Sequence, residues 1–263
     1  MAPLTLTILG AGPAAPNPGG ANSGYLVRQA ETAVVLDCGP GTAGQIALHL
    51  PPERLSGVAI SHFHPDHYFD LVALYYLLKF GPARDSRLPV WLPPGGRAFL
   101  DEFGRVIAQR QAMLEDVLDL REYPIHAPVT IGTLQFSFLP VQHYIPAHAM
   151  RIRAEDDGLL TFSGDAAPCA ELVEAAQDAD LFLCESALLD PSQDEKDPSE
   201  RGHSTAAEAG AAATAARAKS LLITHYRSNV EADAHHLRTA RGAFSGPLDL
   251  ARPGRTYTIT ASR

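Results

Sequence analysis

Within six positions the chain reads His62-Phe63-His64-Pro65-Asp66-His67, three imidazoles and a carboxylate. Imidazole nitrogen and carboxylate oxygen are the usual ligands for Zn²⁺ and similar first-row metals. Without a cation, ligands this dense would crowd several polar groups together without partners. The flanks say what carries them. Leu55–Ser61 ends in a short apolar run, the mark of a buried strand. Tyr68–Phe80 is long, apolar and tyrosine-containing, and reads as a buried helix. Pro65 suits the first turn of that helix, where a missing N–H is no loss. The positive helix end favours the Asp66 carboxylate. The candidate ligands therefore stand on a strand-to-helix turn, where side chains can converge on one spot.

The chain has the material to support such a turn. Its 263 residues are 46% hydrophobic and 19% charged, which allows a sizeable core and argues against global disorder. The formal net charge is −9. A protein that grips long nucleic acid carries a basic face, so this balance argues against such a partner. The three cysteines, Cys38, Cys169 and Cys184, fit no disulfide frame or zinc-finger spacing. They read as small buried apolar residues in a reducing compartment. No apolar run reaches the ~18 residues of a membrane span, and Met1-Ala2-Pro3-Leu4 lacks the basic start of a signal peptide. The expectation is a soluble, cytoplasmic protein with no membrane partner.

Gly10-Ala11-Gly12-Pro13-Ala14-Ala15 spells a dinucleotide fingerprint, with Asp37 at about the right distance. That fingerprint must open a helix. Pro13, Pro16, Pro18, Gly19 and Gly20 forbid one here, so the segment is a loop. Strands are predicted at 4–9, 23–28, 33–37, 88–92, 121–126, 129–131, 134–141, 149–154, 159–163, 181–184, 220–224 and 256–260. Helices are predicted at 42–50, 68–80, 97–118 and 169–176, from Thr205 onward, and at 231–244. The alanine-rich stretch near 206–218 is good helix former. Two strand-dominated blocks with interleaved helices predict an α/β fold: two mixed sheets packed together with helices outside, a four-layer αββα sandwich. The whole of 1–263 reads as one domain.

Three later polar residues each follow an apolar strand. His143 comes after Phe136–Val141, Asp165 after Leu159–Gly164, and His225 after Leu221–Thr224. With the 62–67 segment they make five histidines and two aspartates. In this order the chain resembles a dinuclear metallo-β-lactamase-fold hydrolase, whose pattern is H-x-H-x-D-H, then His, Asp and His. The resemblance implies that His62, His64 and His143 hold one metal. Asp66, His67 and His225 would hold the second, with Asp165 bridging. It implies two divalent ions, Zn²⁺ by the donor set, with Mn²⁺ or Fe compatible. Asp37, in Leu36-Asp37-Cys38-Gly39, matches the family's first motif and would orient the ligands. Hydrolysis would use a hydroxide bridging the metals as nucleophile, and Asp66 is counted among the catalytic candidates.

Gly202-His203-Ser204-Thr205 and Leu183-Cys184-Glu185-Ser186-Ala187 resemble the G-H-S-T and H-E-A-T motifs of ribonuclease Z and related phosphodiesterases. By that resemblance His203 assists phosphoryl transfer and Glu185 orients it, although Cys184 stands where the second motif has histidine. Thr205 and Glu208 form a T-x-x-E capping box, placing His203 beside a helix N-terminus that attracts phosphate. The bridging aspartate follows the third-motif histidine by only 22 positions (165 − 143). Ribonuclease Z carries its tRNA-gripping arm in that interval, so the closer likeness is to armless bacterial relatives. These imply a small phosphodiester substrate such as a cyclic nucleotide, and a homodimer as a family-level expectation. The alternatives are a ribonuclease Z-like RNA-processing endonuclease and a carboxylic ester or lactone hydrolase on the same metals. His49, His126, His235 and His236 read as surface residues. His148, Asn22 and Ser23 are candidates to line the pocket or meet phosphate, with walls from loops such as 81–87 and 144–148.

Overall fold

The computed structural model describes residues 2–125, 127–155, 158–195, 197 and 199–261. The first half of the chain supplies β1 (Leu4–Gly10), β2 (Gly24–Gln29), β3 (Thr32–Leu36), α1 (Thr42–His49), β4 (Gly57–Ala59), α2 (Pro65–Tyr68), α3 (Leu71–Phe80), β5 (Leu88–Leu92), α4 (Gly96–Ala108) and β6 (Leu118–Glu122). The second half supplies β7 (Val129–Ile131), β8 (Leu134–Val141), β9 (Ala147–Ala154), β10 (Leu159–Phe162), α5 (Ala170–Ala175), β11 (Leu181–Glu185), α6 (Ala206–Ala215), β12 (Leu221–Thr224), α7 (Val230–Ala243), β13 (Leu248–Leu250) and β14 (Thr256–Ile259). The strands form two mixed seven-stranded sheets, in the orders β14-β1-β2-β3-β4-β5-β6 and β13-β12-β11-β10-β9-β8-β7. The last strand thus returns to the first sheet, antiparallel to β1.

Period-2 alternation assigns each strand's two faces. Leu4, Leu6, Ile8, Tyr25, Val27, Val34 and Leu36 of the first sheet meet Phe136, Phe138, Ile152, Leu160, Phe162 and Leu183 of the second. Leu26, Val35 and Val58, on the other face of the first sheet, are covered by Ile46 of α1, Leu71 and Leu74 of α3 and Leu100 of α4. Phe182 and Ile223 are covered in the same way by α5, α6 and α7. Burial on both faces explains why these strands read as continuous apolar runs. The architecture is the four-layer αββα sandwich. The alanines of α6 do more than favour helix. A Cβ on Gly210 would lie 2.7 Å from the Ala240 carbonyl oxygen, so small residues let α6 and α7 approach closely.

Several predicted elements are shorter than expected, each for a local reason. The 68–80 helix breaks at Phe69–Asp70. Asp70 N–H donates to Cys38 O (2.9 Å) and its carboxylate accepts from Ala43 N (2.9 Å), which ties this corner to the start of α1. The 97–118 helix ends at Ala108, with Gln109 and Ala112 in left-handed conformations. Asp101 turns the chain back by accepting from Ala112 N (2.7 Å), and Leu118 joins β6. The strand expected at 121–126 accordingly starts and stops earlier, and His126 lies outside the described residues. β13 was not anticipated from sequence. Loop 81–87 is not a wall of the site. Arg84 ties it to Leu55 O (3.1 Å), ahead of β4 and so at the opposite end of the sheet from His62. Cys38 and Cys184 are buried, whereas Cys169 is half-buried at the start of α5; all three are free thiols. No helix among the described residues is long and apolar enough to cross a membrane.

The turn bearing the ligands is clamped by the loop after β3. Cys38 N–H donates to His67 O (2.7 Å), and a Cβ on Gly39 would fall 1.9 Å from Asp66 O. Backbone, not a mobile side chain tip, would have to move. Gly39→Ala is therefore expected to lower unfolding free energy by about 1–3 kcal/mol. Urea denaturation checks this, and an unchanged midpoint would show that the clamp has slack.

Candidate metal centre

Four of the seven predicted ligands sit just beyond a strand, and the other three lie at the start of α2. His62 follows β4, His143 follows β8, Asp165 follows β10 and His225 follows β12. Two of these exits need unusual backbone. His225 has φ 57°, and Gly164, ahead of Asp165, has φ 60°. Asp37, directly after β3, has φ 56°. Left-handed conformations at non-glycine residues are uncommon and cluster at functional sites.

The structure brings the seven candidates into two adjoining groups. His62, His64, His143 and Asp165 form one, and Asp66, His67, Asp165 and His225 the other, with donor atoms inside each group within 4.8 Å of one another. Two donors each about 2 Å from one tetrahedral ion stand about 3.3 Å apart. In the first group His64 Nδ1 lies 3.2 Å from His62 Nε2 and 2.9 Å from His143 Nε2. Asp165 Oδ2 lies 3.7 Å from His62 Nε2 and 4.0 Å from His143 Nε2. In the second group the same Asp165 oxygen lies 3.2 Å from both His67 Nε2 and His225 Nε2. Asp66 Oδ2 lies 3.4 Å from His67 Nε2 and 3.7 Å from His225 Nε2. One oxygen of Asp165 is thus common to both groups.

The far sides of four of the five candidate ligand imidazoles are held by hydrogen bonds. His67 Nδ1 donates to Asp37 Oδ2 (2.7 Å) and His143 Nδ1 to Gly202 O (2.6 Å). Asp37 also accepts from Ser61 N (2.7 Å) and Ser61 Oγ (2.8 Å). With its proton committed there, Ser61 Oγ accepts from His62 Nδ1 (2.9 Å). Ser23 Oγ pairs with His225 Nδ1 (2.9 Å). Such partners fix the tautomer, so the Nε2 lone pair of each of these four rings faces the shared centre. Ser61 and Ser23 in this orienting role are what sequence reasoning missed. Ser23 is buried against His225 instead of open to phosphate, and Asn22 spends its amide on Pro13 O.

The donor set fits divalent cations. Asp37, Asp66, Asp165 and Glu185 are all buried, and the ion-pair partners within 4.0 Å that the described residues supply to them are histidines. Buried carboxylates need compensating charge. Asp66 Oδ2, His67 Nε2 and Asp165 Oδ1 are buried without any hydrogen bond. Protons take the cations' place in the polypeptide alone. Burial opposes charge on His67, but Asp165 and Asp37 draw it well above the usual imidazole range. Burial and the neighbouring His67 hold His62 well below that range.

His203 and Glu185 form a third, overlapping group with Asp165. Glu185 Oε1 accepts from Ala166 N (3.0 Å) and His203 Nδ1 (2.9 Å), and Oε2 accepts from Ala187 N (2.8 Å). Burial works against the His203 imidazolium, but Glu185 outweighs it and His203 is pushed up to about 9. Thr205 and Glu208 do form the capping box at the start of α6. His148 is buried against Tyr123 (ring centroids 5.3 Å apart). His236, expected on the surface, is buried in α7 and bonded to Ala232 O and Ser186 O.

A Beta-lactamase superfamily domain matches residues 32–226, and the chain belongs to that family. It is a metal-dependent hydrolase. An uncharacterized protein of Mycobacterium leprae is 30% identical over 98% of this chain and 89% of its own. A ribonuclease Z of Ignicoccus hospitalis is 28% identical over 90% of this chain and 92% of its own. Among solved structures, the metallo-β-lactamase fold protein YhfI from Bacillus subtilis superposes with a TM-score of 0.84, at 24% identity over 97% of this chain and 99% of that one. A diphosphatase of the PhnP family superposes with a TM-score of 0.72, at 19% identity over 97% of each chain.

Cations binding here must displace the proton that Asp165 and Asp37 favour on His67. Because that imidazole is drawn above its ordinary value, it keeps its proton to higher pH than a free imidazole and loses it as pH rises. Zn²⁺ titrations in buffers of different ionisation enthalpy should therefore show proton release, with affinity rising through neutrality. A pH-independent affinity would contradict this. Asp37→Ala, which frees His67 and Ser61 together, should weaken metal binding about 10–100-fold.

Proposed function

We propose that the protein is a dinuclear-metal phosphodiesterase acting on a small phosphodiester such as a cyclic nucleotide. The observation that carries this reading is His203, held by a buried glutamate beside two converging ligand groups. When bound, two divalent ions would supply an activated water and positive charge for the phosphate. His62, His64 and His143 would hold one ion, Asp66, His67 and His225 the other, with Asp165 shared.

His203 gives Nδ1–H to Glu185, which leaves Nε2 as the ring nitrogen for substrate. An imidazolium there donates its Nε2 proton to the leaving oxygen as the P–O bond breaks. Glu185, anchored by backbone amides, keeps the ring upright and stabilises its charge. The His203 ring stacks 5.9 Å from His225 and lies edge-on 5.0 Å from His143, so it flanks both ligand groups. Small substrates suit the surroundings. The described residues between His143 and Asp165 are mainly the β9–β10 hairpin, and the net charge is −9. Zn²⁺ suits the donors best, with Mn²⁺ or Fe accepted by the same set.

A panel of bis-p-nitrophenyl phosphate, cyclic nucleotides, a tRNA precursor, lactones and nitrocefin separates the readings. Turnover confined to phosphodiesters supports this one. Turnover confined to lactones overturns it, and preference for the tRNA precursor favours the endonuclease. His203→Ala should lower phosphodiester turnover by about 100-fold or more while metal content stays intact. Unchanged turnover would remove the role given to His203.

A further inference from the structure

One group at the mouth of the site has no part in this chemistry. Tyr144 follows His143 directly, yet 49% of it is exposed. Its ring centroid lies 5.0 Å from that of His143, 5.5 Å from His203 and 6.5 Å from His64. An aromatic ring therefore forms a wall over one ligand group and beside the proposed acid.

The ring is also fixed in place. Its hydroxyl donates to Asp194 Oδ1. Asp194 Oδ2 accepts from Gly202 N (3.0 Å) and His203 N (3.2 Å). Gly202 completes the seat, since a Cβ there would fall 2.4 Å from the tyrosine ring. Immobilising an aromatic side chain beforehand reduces the entropy lost when something packs on it. A flat, half-exposed ring in an otherwise polar site offers a face to another flat ring. Base–aromatic stacking needs only such a face and tolerates different bases.

We propose that Tyr144 is a specificity-determining residue that stacks against the nucleobase of the substrate. This rests on the phosphodiesterase reading and narrows it to nucleotide phosphodiesters. A purely structural role is the competing explanation, in which Tyr144 merely latches Asp194 and the 202–203 backbone. The two differ in what they need: stacking needs the ring, and the latch needs the hydroxyl.

The test compares 3′,5′-cyclic AMP with 1-O-methylribose 3′,5′-cyclic phosphate, which has the same phosphodiester without a base. Wild type should favour the nucleotide in kcat/KM. Y144A should cut that preference about tenfold, the fold-change of one stacked base, and should act through KM. Y144F and Y144W should retain the preference. Y144L keeps bulk without an aromatic face and replaces Y144A if the alanine variant does not fold. Equal loss on both substrates overturns the proposal, as does Y144F matching Y144A or no change in Y144A. If wild type hydrolyses neither compound, the substrate panel above decides the phosphodiesterase reading, and calorimetry of AMP with the zinc-loaded protein decides on Tyr144. Affinity lost about tenfold in Y144A and kept in Y144F sustains stacking, and equal affinity in both overturns it.

Discussion

The Asp37 carboxylate, which is not itself among the candidate ligands, holds a residue behind each ligand group. It takes the backbone and side-chain protons of Ser61 and the Nδ1 proton of His67. Through Ser61 it also aims His62. One buried anion at the end of β3 thus sets the orientation of a ring from each ligand group. Its left-handed backbone is what turns the side chain toward β4 and α2 instead of away. Three charge-directed hydrogen bonds to one carboxylate leave little freedom for the rings they control.

The two sheets then share the remaining work. His62, His64, Asp66 and His67 come from the first sheet's connections, and His143, Asp165 and His225 from the second's. Asp165 touches both groups with a single oxygen. The interior between the sheets is apolar and needs no ion. The polar chemistry is confined to strand ends, where backbone groups are free to serve side chains.

Much of this was legible in the chain. The ligand turn stood out because strand, proline and helix signals all agreed across 55–80. His143, Asp165 and His225 were visible as polar residues ending apolar runs. The capping box at Thr205 and Glu208 could be read from two letters three positions apart. What escaped were effects made by residues distant in sequence. The break at Asp70 arises from bonds to Cys38 and Ala43, and the end of α4 from Asp101 bonding Ala112. Burial of His236 depends on Ser186, fifty positions away. Ser23 orients a ring instead of meeting phosphate, a role hidden in sequence because its partner His225 is 202 residues downstream. Tyr144 carried no local signal beyond its place next to His143.

The spread of the ligands along the chain has a consequence for synthesis. The 62–67 segment leaves the ribosome with two donors for each of the two groups, long before His143. A nascent chain can hold an ion there only weakly, since half of each ligand shell is still unmade. His225 is the last donor to emerge, and β14, which closes the edge beside β1, comes later still. Full occupancy therefore waits on nearly the whole polypeptide and on the docking of the second sheet. A truncated product would carry the conspicuous histidine segment without the means to retain its metals, so the site reports on completed folding as well as on sequence.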